Sequence, residues 1–142
     1  MVNEESSHYC ELTDKQVLSY HSGLVNTFKV TSNCKYLISG GDDTTIKIYS
    51  LETNSVINTL YGHEKRVNSI AVSIDDKVMV SGSDDRTVRI WNLDSFKLVH
   101  TLSQLPSEIQ KVVFSHNGLM LLAYDSANLI YVFSSSNYQV IS

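Results

Sequence analysis

The sequence offers little for covalent or metal cross-linking: two cysteines, Cys10 and Cys34, far apart, with no Cys-x-x-Cys motif and no paired histidine. Two buried or half-buried free thiols in a reducing compartment, cytoplasmic or nuclear, are the expectation, with a disulfide or a metal site as the alternative. Long apolar runs are missing too. The longest, Leu119–Tyr124, spans six residues, against about 20 for a helix that crosses a bilayer. There is no basic block: 11 Lys+Arg stand against 15 Asp+Glu, for a net charge of −4. Neither a phosphate backbone nor an anionic membrane surface is therefore expected as a partner. Met1–Cys10 is polar and acidic and does not read as a secretory leader. Residues 1–13 read as a polar tail, and 14–142 as the folded region.

What is present is a repeat. Shifted by 42 residues, the segment 21–62 lies on 63–104 without a gap, and fourteen of those positions carry the same residue. They include His21/His63, Asn26/Asn68, Ser39/Ser81, Gly40/Gly82, Asp42/Asp84, Asp43/Asp85 and Ile48/Ile90. A further step, over 105–142, keeps the apolar pattern with different letters. Ile109, Val112 and Phe114 fall on Val67, Ile70 and Val72; Ile130, Val132 and Phe133 fall on Val88, Ile90 and Trp91.

Within the second unit, Val67–Ser73, Val78–Ser83, Thr87–Asn92 and Lys97–Leu102 are short β-branched or alternating runs. Asp75-Asp76, Asp84-Asp85-Arg86 and Asp94-Ser95 separate them as turns. No stretch has the spacing of a useful amphipathic helix. The chain is predicted to be all-β, each unit a four-stranded antiparallel meander. One such meander cannot bury both faces, and stacking successive sheets around an axis solves that problem.

The second unit carries Gly62-His63, Ser81-Gly82-Ser83-Asp84-Asp85 and Val88-Arg89-Ile90-Trp91-Asn92. This closely resembles the WD40-repeat (β-transducin-like) family pattern of Gly-His, a Ser-Gly-Ser-x-Asp turn and Trp-Asp, with Asn92 in the last place. The first unit has His21, Ser39-Gly40-Gly41-Asp42-Asp43 and Ile46-Lys47-Ile48-Tyr49, with Tyr20 for the glycine and Tyr49 for the tryptophan. In the third, Leu105, Ala123, Ala127 and Phe133 occupy the four key places. The resemblance implies propeller blades at about 21–62, 63–104 and 105–142, with Lys15–Ser19 as a stray outer strand of a preceding blade. It also implies a hydrogen-bonded tetrad per blade: His63, Ser81, Asp85 and Trp91 in the second, and His21, Ser39, Asp43 and Tyr49 in the first. The third blade is expected to dispense with these polar groups.

A His–Ser–Asp set invites comparison with a hydrolase triad. A nucleophilic serine needs exposure and an oxyanion hole, whereas these three residues recur at one register in two repeats, the mark of a structural device. His8, His100 and His116 show no ligand spacing, and Gly40-Gly41 lacks the helix and the Lys-Ser/Thr of a phosphate loop. No catalytic residue, cofactor or metal is expected.

The resemblance implies instead a platform for proteins or peptides. Its contact positions, carried over by register, are Leu24, Asn26 and Asp42; Arg66, Asn68 and Asp84; and Glu108, Gln110 and Ser126. The same residues can equally be solvated turn positions. Family propellers usually have seven blades, so three blades make a partial propeller. The chain is then a piece of a longer protein, half of a ring closed by a second copy, or an open arc capped by a partner.

Overall fold

Short β-branched segments punctuated by Asp, Asn, Ser and Gly can form little else but hairpins, and the computed structural model, which describes residues 17–141, contains eleven strands and no helix among those residues. The strands are β1 Val25–Val30, β2 Tyr36–Gly41, β3 Ile46–Ser50, β4 Ser55–Leu60, β5 Val67–Val72 and β6 Val78–Ser83. They continue as β7 Val88–Asn92, β8 Lys97–Leu102, β9 Ile109–Phe114, β10 Met120–Asp125 and β11 Ile130–Ser134. Three antiparallel meanders result, in the orders β1-β2-β3-β4, β5-β6-β7-β8 and β9-β10-β11. The partial propeller expected from the sequence is the observed architecture, with β1, β5 and β9 side by side as the innermost strands.

The third unit is a blade despite its altered letters. Its backbone repeats the others' turns: φ is positive at Cys34, Asp76 and Gly118, again at Thr44, Arg86 and Asn128, and again at Asn54, Phe96 and Tyr138. Each set is spaced by one repeat. The register shift at Val25/Thr27 recurs at Val67/Ser69 and at Tyr124/Asp125. A third device also repeats below the sheets. The Thr31, Ser73 and Ser115 hydroxyls donate to Asn33, Asp75 and Asn117, clamping the turn after each innermost strand.

Three sequence expectations are corrected here. The third sheet has three strands, not four; beyond it only an isolated bridge joins Phe133 to Val140. Gln139 and Ile141 do bond back to Ser134 and Val132 beyond the left-handed Tyr138, at the places where β4 and β8 begin after Asn54 and Phe96, and only three residues of that stretch, 139–141, are described. Of the expected stray outer strand Lys15–Ser19, the described residues Val17–Ser19 belong to no strand, and Lys15 and Gln16 lie outside the described residues. The polar tail, with His8 and Cys10, is also outside them. Cys34 is disulfide-bonded rather than free. It occupies a half-buried turn position with a left-handed backbone, not a core position. The compartment argument drawn from free thiols therefore falls away.

Each joint between blades has its own apolar core. Ile38, Ile46, Ile48 and Leu60 of the first sheet pack on Val67, Ile70, Met79, Trp91 and Leu93. Val80, Val88 and Ile90 pack on Ile109, Val112, Leu121, Ala123 and Phe133. Every second residue of a middle strand faces one joint and its neighbours face the other, the two-residue period of a sheet buried on both sides.

Candidate functional site

His63 precedes β5, Ser81 lies in β6, Asp85 in the β6–β7 turn and Trp91 in β7, and the meander folds all four together. Nδ1 of His63 lies 2.7 Å from an Asp85 oxygen, and its Nε2 lies 2.7 Å from the Ser81 hydroxyl oxygen. Trp91 donates its indole N–H to the same hydroxyl oxygen across 2.9 Å. The donor inventory allows one consistent assignment: indole N–H to Ser81, Ser81 O–H to His63 Nε2, His63 Nδ1–H to Asp85. Asp85 also accepts from the Thr87 hydroxyl at 2.6 Å, the Thr87 N–H and the Glu64 N–H. Burial would raise the Asp85 pKa, but these bonds, His63's first among them, outweigh it and hold the carboxyl well below the usual carboxylate range.

The first blade repeats the arrangement with one member changed. His21 Nδ1 sits 3.0 Å from Asp43 and Nε2 2.8 Å from the Ser39 oxygen. Tyr49 takes the tryptophan's place and packs on Tyr20 with ring centres 5.8 Å apart. Burial pushes the Asp43 pKa up, while bonds from His21, Thr45 and the Ser22 N–H pull it down, and the outcome is about 2.

In the third blade Leu105, Ala123, Ala127 and Phe133 stand at the tetrad places, yet that blade does not dispense with buried polar groups. Asp125, fully buried and one repeat beyond Ser83 rather than Asp85, accepts from the Ala127 and Leu129 N–H groups and from the Tyr131 hydroxyl at 2.8 Å. Burial opposes ionisation there, and the three donors still lower its pKa. The carboxylate caps its own turn, a role that needs no histidine.

The Ser81 hydroxyl is placed as a structural group rather than as an attacking one. Ser81 is 0% exposed, and its oxygen is already engaged by His63 and Trp91. An attacking hydroxyl needs both an open approach and a free lone pair.

The rim residues are placed together, but largely on one another. The Asn26 amide donates to Asp42 at 2.8 Å and to the Val67 carbonyl of the next blade at 3.2 Å. Asn68 does the same to Asp84 at 2.6 Å and to the Ile109 carbonyl at 2.8 Å. Both asparagines therefore staple adjacent blades, a role the repeat letters hinted at only through their identity. Arg66 Nε forms an ion pair with Asp84 at 2.8 Å. Ser126 donates to Glu108 at 2.8 Å. Leu24 and Gln110 are exposed. Asp42 differs from Asp84 in one respect: Leu24 stands where Arg66 would, and among the described residues no cation pairs with Asp42.

The Thr27 and Ser69 hydroxyls also act at the joints, accepting the Ile70 N–H at 3.2 Å and the Val112 N–H at 3.1 Å. Sequence reasoning passed over them, because a hydroxyl in a strand looks like a β-former. On the opposite rim Asp76 accepts from the Ser32 N–H, the Ser32 hydroxyl and the Asn33 N–H, tying the second blade back to the first.

Comparison with known proteins agrees with this architecture. The family described as "WD domain, G-beta repeat" matches residues 12–50 and 54–92, more than half of the chain. Among solved structures, one described as the structure of U3-55K superposes with a TM-score of 0.85 at 20% identity, over 89% of this chain and 41% of that one. Another, of RRP9 WD40 repeats, gives 0.85 at 20% over 89% and 40%. The chain thus spans about two-fifths of the length of these structures, and at this identity the likeness concerns the fold. No curated protein matches the sequence.

Proposed function

The chain belongs to the WD-domain, G-beta repeat family, and we propose that it serves as a non-catalytic scaffold that holds other proteins or peptides on its rim. The observation that carries this reading is the locked Ser81. Ser81, held from two sides by His63 and Trp91, is spent on keeping its blade together, and the rim carries the exposed polar side chains. Within the rim, Asp42 carries a carboxylate that accepts from Asn26 but forms no ion pair among the described residues, beside the exposed Leu24. That pair suits a peptide presenting an arginine or lysine next to an apolar side chain, through a charge-assisted hydrogen bond and a small apolar contact. Asp84 is the weaker site, since Arg66 already occupies it. With a net charge of −4, nucleic acid and anionic membranes are not proposed as partners.

The test is a titration of basic-apolar peptides against the purified chain. Asp42→Ala should weaken binding several-fold and Asp84→Ala much less. Equal losses, or none, would contradict the assignment. We place the protein in the cytoplasm or nucleus, where a tagged copy should be seen. Confinement to the secretory pathway, which the disulfide at Cys34 would suit, would contradict that placement.

A second reading is favoured by the exposed blade faces at both ends of the arc, where Phe28 is 68% and Ile130 62% exposed. On it, the chain is the blade portion of a larger enzyme or signalling protein of kinase, ATPase or ubiquitin-ligase adaptor type, with the activity elsewhere. A reading frame that continues beyond these residues supports it; one that stops at both ends removes it.

A further inference from the structure

The turn after each innermost strand follows one plan, and its middle residue is Asn33 in the first blade, Asp75 in the second and Asn117 in the third. The side-chain oxygen of that residue accepts a hydroxyl proton from Thr31, Ser73 or Ser115, at 2.7, 2.6 and 2.7 Å. The same oxygen accepts the N–H two residues on, from Lys35, Lys77 or Leu119, at 3.0, 3.1 and 3.1 Å. The residue between, Cys34, Asp76 or Gly118, has a positive φ and donates its N–H to the carbonyl of Thr31, Ser73 or Ser115. Asparagine and aspartate serve equally at this place, because both offer the one acceptor oxygen that the turn uses.

Gly118 sets the third turn apart. Asn117-Gly118 is the one Asn-Gly pair in the sequence. An asparagine carboxamide is open to attack by the backbone nitrogen of the next residue, and a side chain on that next residue obstructs the approach. Cys34 stands in this way after Asn33. Gly118 has no such obstacle, and a Cβ built there would meet only Ile74 Cγ2, at 3.6 Å. Asn117 is exposed to the water that the reaction consumes. In the closed turn the Gly118 N–H points at Ser115, so attack waits for the turn to open, an event that costs little at an exposed loop away from the core.

We propose that Asn117-Gly118 is a site of spontaneous deamidation, and that the fold accepts its aspartyl product but not its isoaspartyl one. The Gly118 nitrogen gives up its proton and bonds to the side-chain carbonyl carbon of Asn117. Ammonia leaves, and a succinimide ring is closed. Water then opens the ring in one of two ways. Cleavage of the new bond leaves an aspartate in an unaltered backbone. Cleavage of the original peptide bond leaves the chain running through the side-chain carbon, one methylene longer, with a free α-carboxylate.

The aspartate reproduces the second blade's turn, where the Ser73 hydroxyl and the Lys77 N–H hold the Asp75 carboxyl below its ordinary pKa. In the isoaspartyl form the oxygen that Ser115 and Leu119 use belongs to the main-chain amide instead. The added methylene also spreads a turn tied at 2.8 Å from the Gly118 N–H to Ser115, and at 2.7 Å from the Ser135 hydroxyl to the Gly118 carbonyl. The hairpin of β9 and β10 thereby loses its clamp. This turn lies on the rim opposite Asp42, so the change leaves the proposed peptide site untouched.

Peptide mapping of the whole folded chain, aged in neutral buffer, tests this by mass spectrometry with separation of the two isomers. Conversion is expected at Asn117 before any other asparagine, Asn33 included. Asn117→Asp should melt with the wild type, whereas the separated isoaspartyl form should exchange the amide protons of β9 and β10 faster than the unaltered chain. The proposal is overturned if Asn117 converts no sooner than Asn33. It is equally overturned if Asn117→Asp melts well below the wild type, or if the isoaspartyl form exchanges as slowly as the unaltered chain.

Discussion

Trp91 donates its indole N–H to the Ser81 hydroxyl across 2.9 Å. That bond is the first link of the chain that runs through Ser81 and His63 to Asp85. The Asp85 carboxylate can only accept, so His63 Nδ1–H donates to it, Nε2 of the neutral ring accepts the Ser81 proton, and the Ser81 oxygen accepts the indole N–H. A buried chain of this kind is costly to break at one member, because each remaining partner keeps its desolvation cost without its bond.

The first expected outcome concerns the two histidines. His63→Ala strands Ser81 and Asp85 and interrupts the indole chain, and should cost about 1–3 kcal/mol. His21→Ala should cost less, since that network has no indole and its histidine is less buried. Chemical denaturation of both variants measures the difference; equal losses would mean that the indole adds nothing.

Acid should act through the same carboxylates. A carboxyl whose folded pKa lies below its unfolded value contributes stability above the unfolded pKa and loses it as pH falls towards the folded one. Asp43 drops from 3.8 to about 2 on folding, and Asp85 is lowered too. Stability should therefore decline as pH falls below about 4. In Asp85→Asn the amide does not titrate, so the gap between wild type and variant should narrow between about pH 5 and about pH 2. A gap that stays constant would mean that Asp85 is not the titrating group.

The joint asparagines should differ in the same ordered way. Asn68 is half-buried, with bonds of 2.6 and 2.8 Å, whereas Asn26 is exposed, with bonds of 2.8 and 3.2 Å. Asn68→Ala should lose about 1–2 kcal/mol and Asn26→Ala less. Hydrogen exchange in β9 should quicken in the first variant, and unchanged exchange there would speak against the staple.

Gly82 tests packing rather than bonding. Gly82→Ala places a methyl group against Ile109, which is fully buried and cannot swing aside, and should cost about 1–3 kcal/mol. In a double-mutant cycle, Ile109→Ala should absorb much of that cost. Strict additivity would show that the two sites do not touch.

How much of this was legible in the letters depends on the kind of contact. The tetrads were legible because His, Ser, Asp and Trp are chemically distinctive and recur at one spacing. Strands and turns were legible because alternation and Asp-rich turns have direct physical causes. The joint staples were not, because the acceptor of Asn26 is a backbone carbonyl some forty residues away, and a carbonyl has no letter. Asp125 was missed for a related reason. It sits two places before the expected aspartate and binds its own turn, so comparison of key positions reported only Ala127.

The most direct measurement is the exchange rate of the Trp91 indole proton, taken by NMR in wild type and in Ser81→Ala, alongside the melting temperature and labelling by a fluorophosphonate. The account predicts a slowly exchanging indole proton, no labelling of the wild type, and a variant that exchanges faster and melts lower. A Ser81 that reacts with the probe, together with a variant that melts like the wild type while losing that reactivity, would make it a nucleophile and contradict the account.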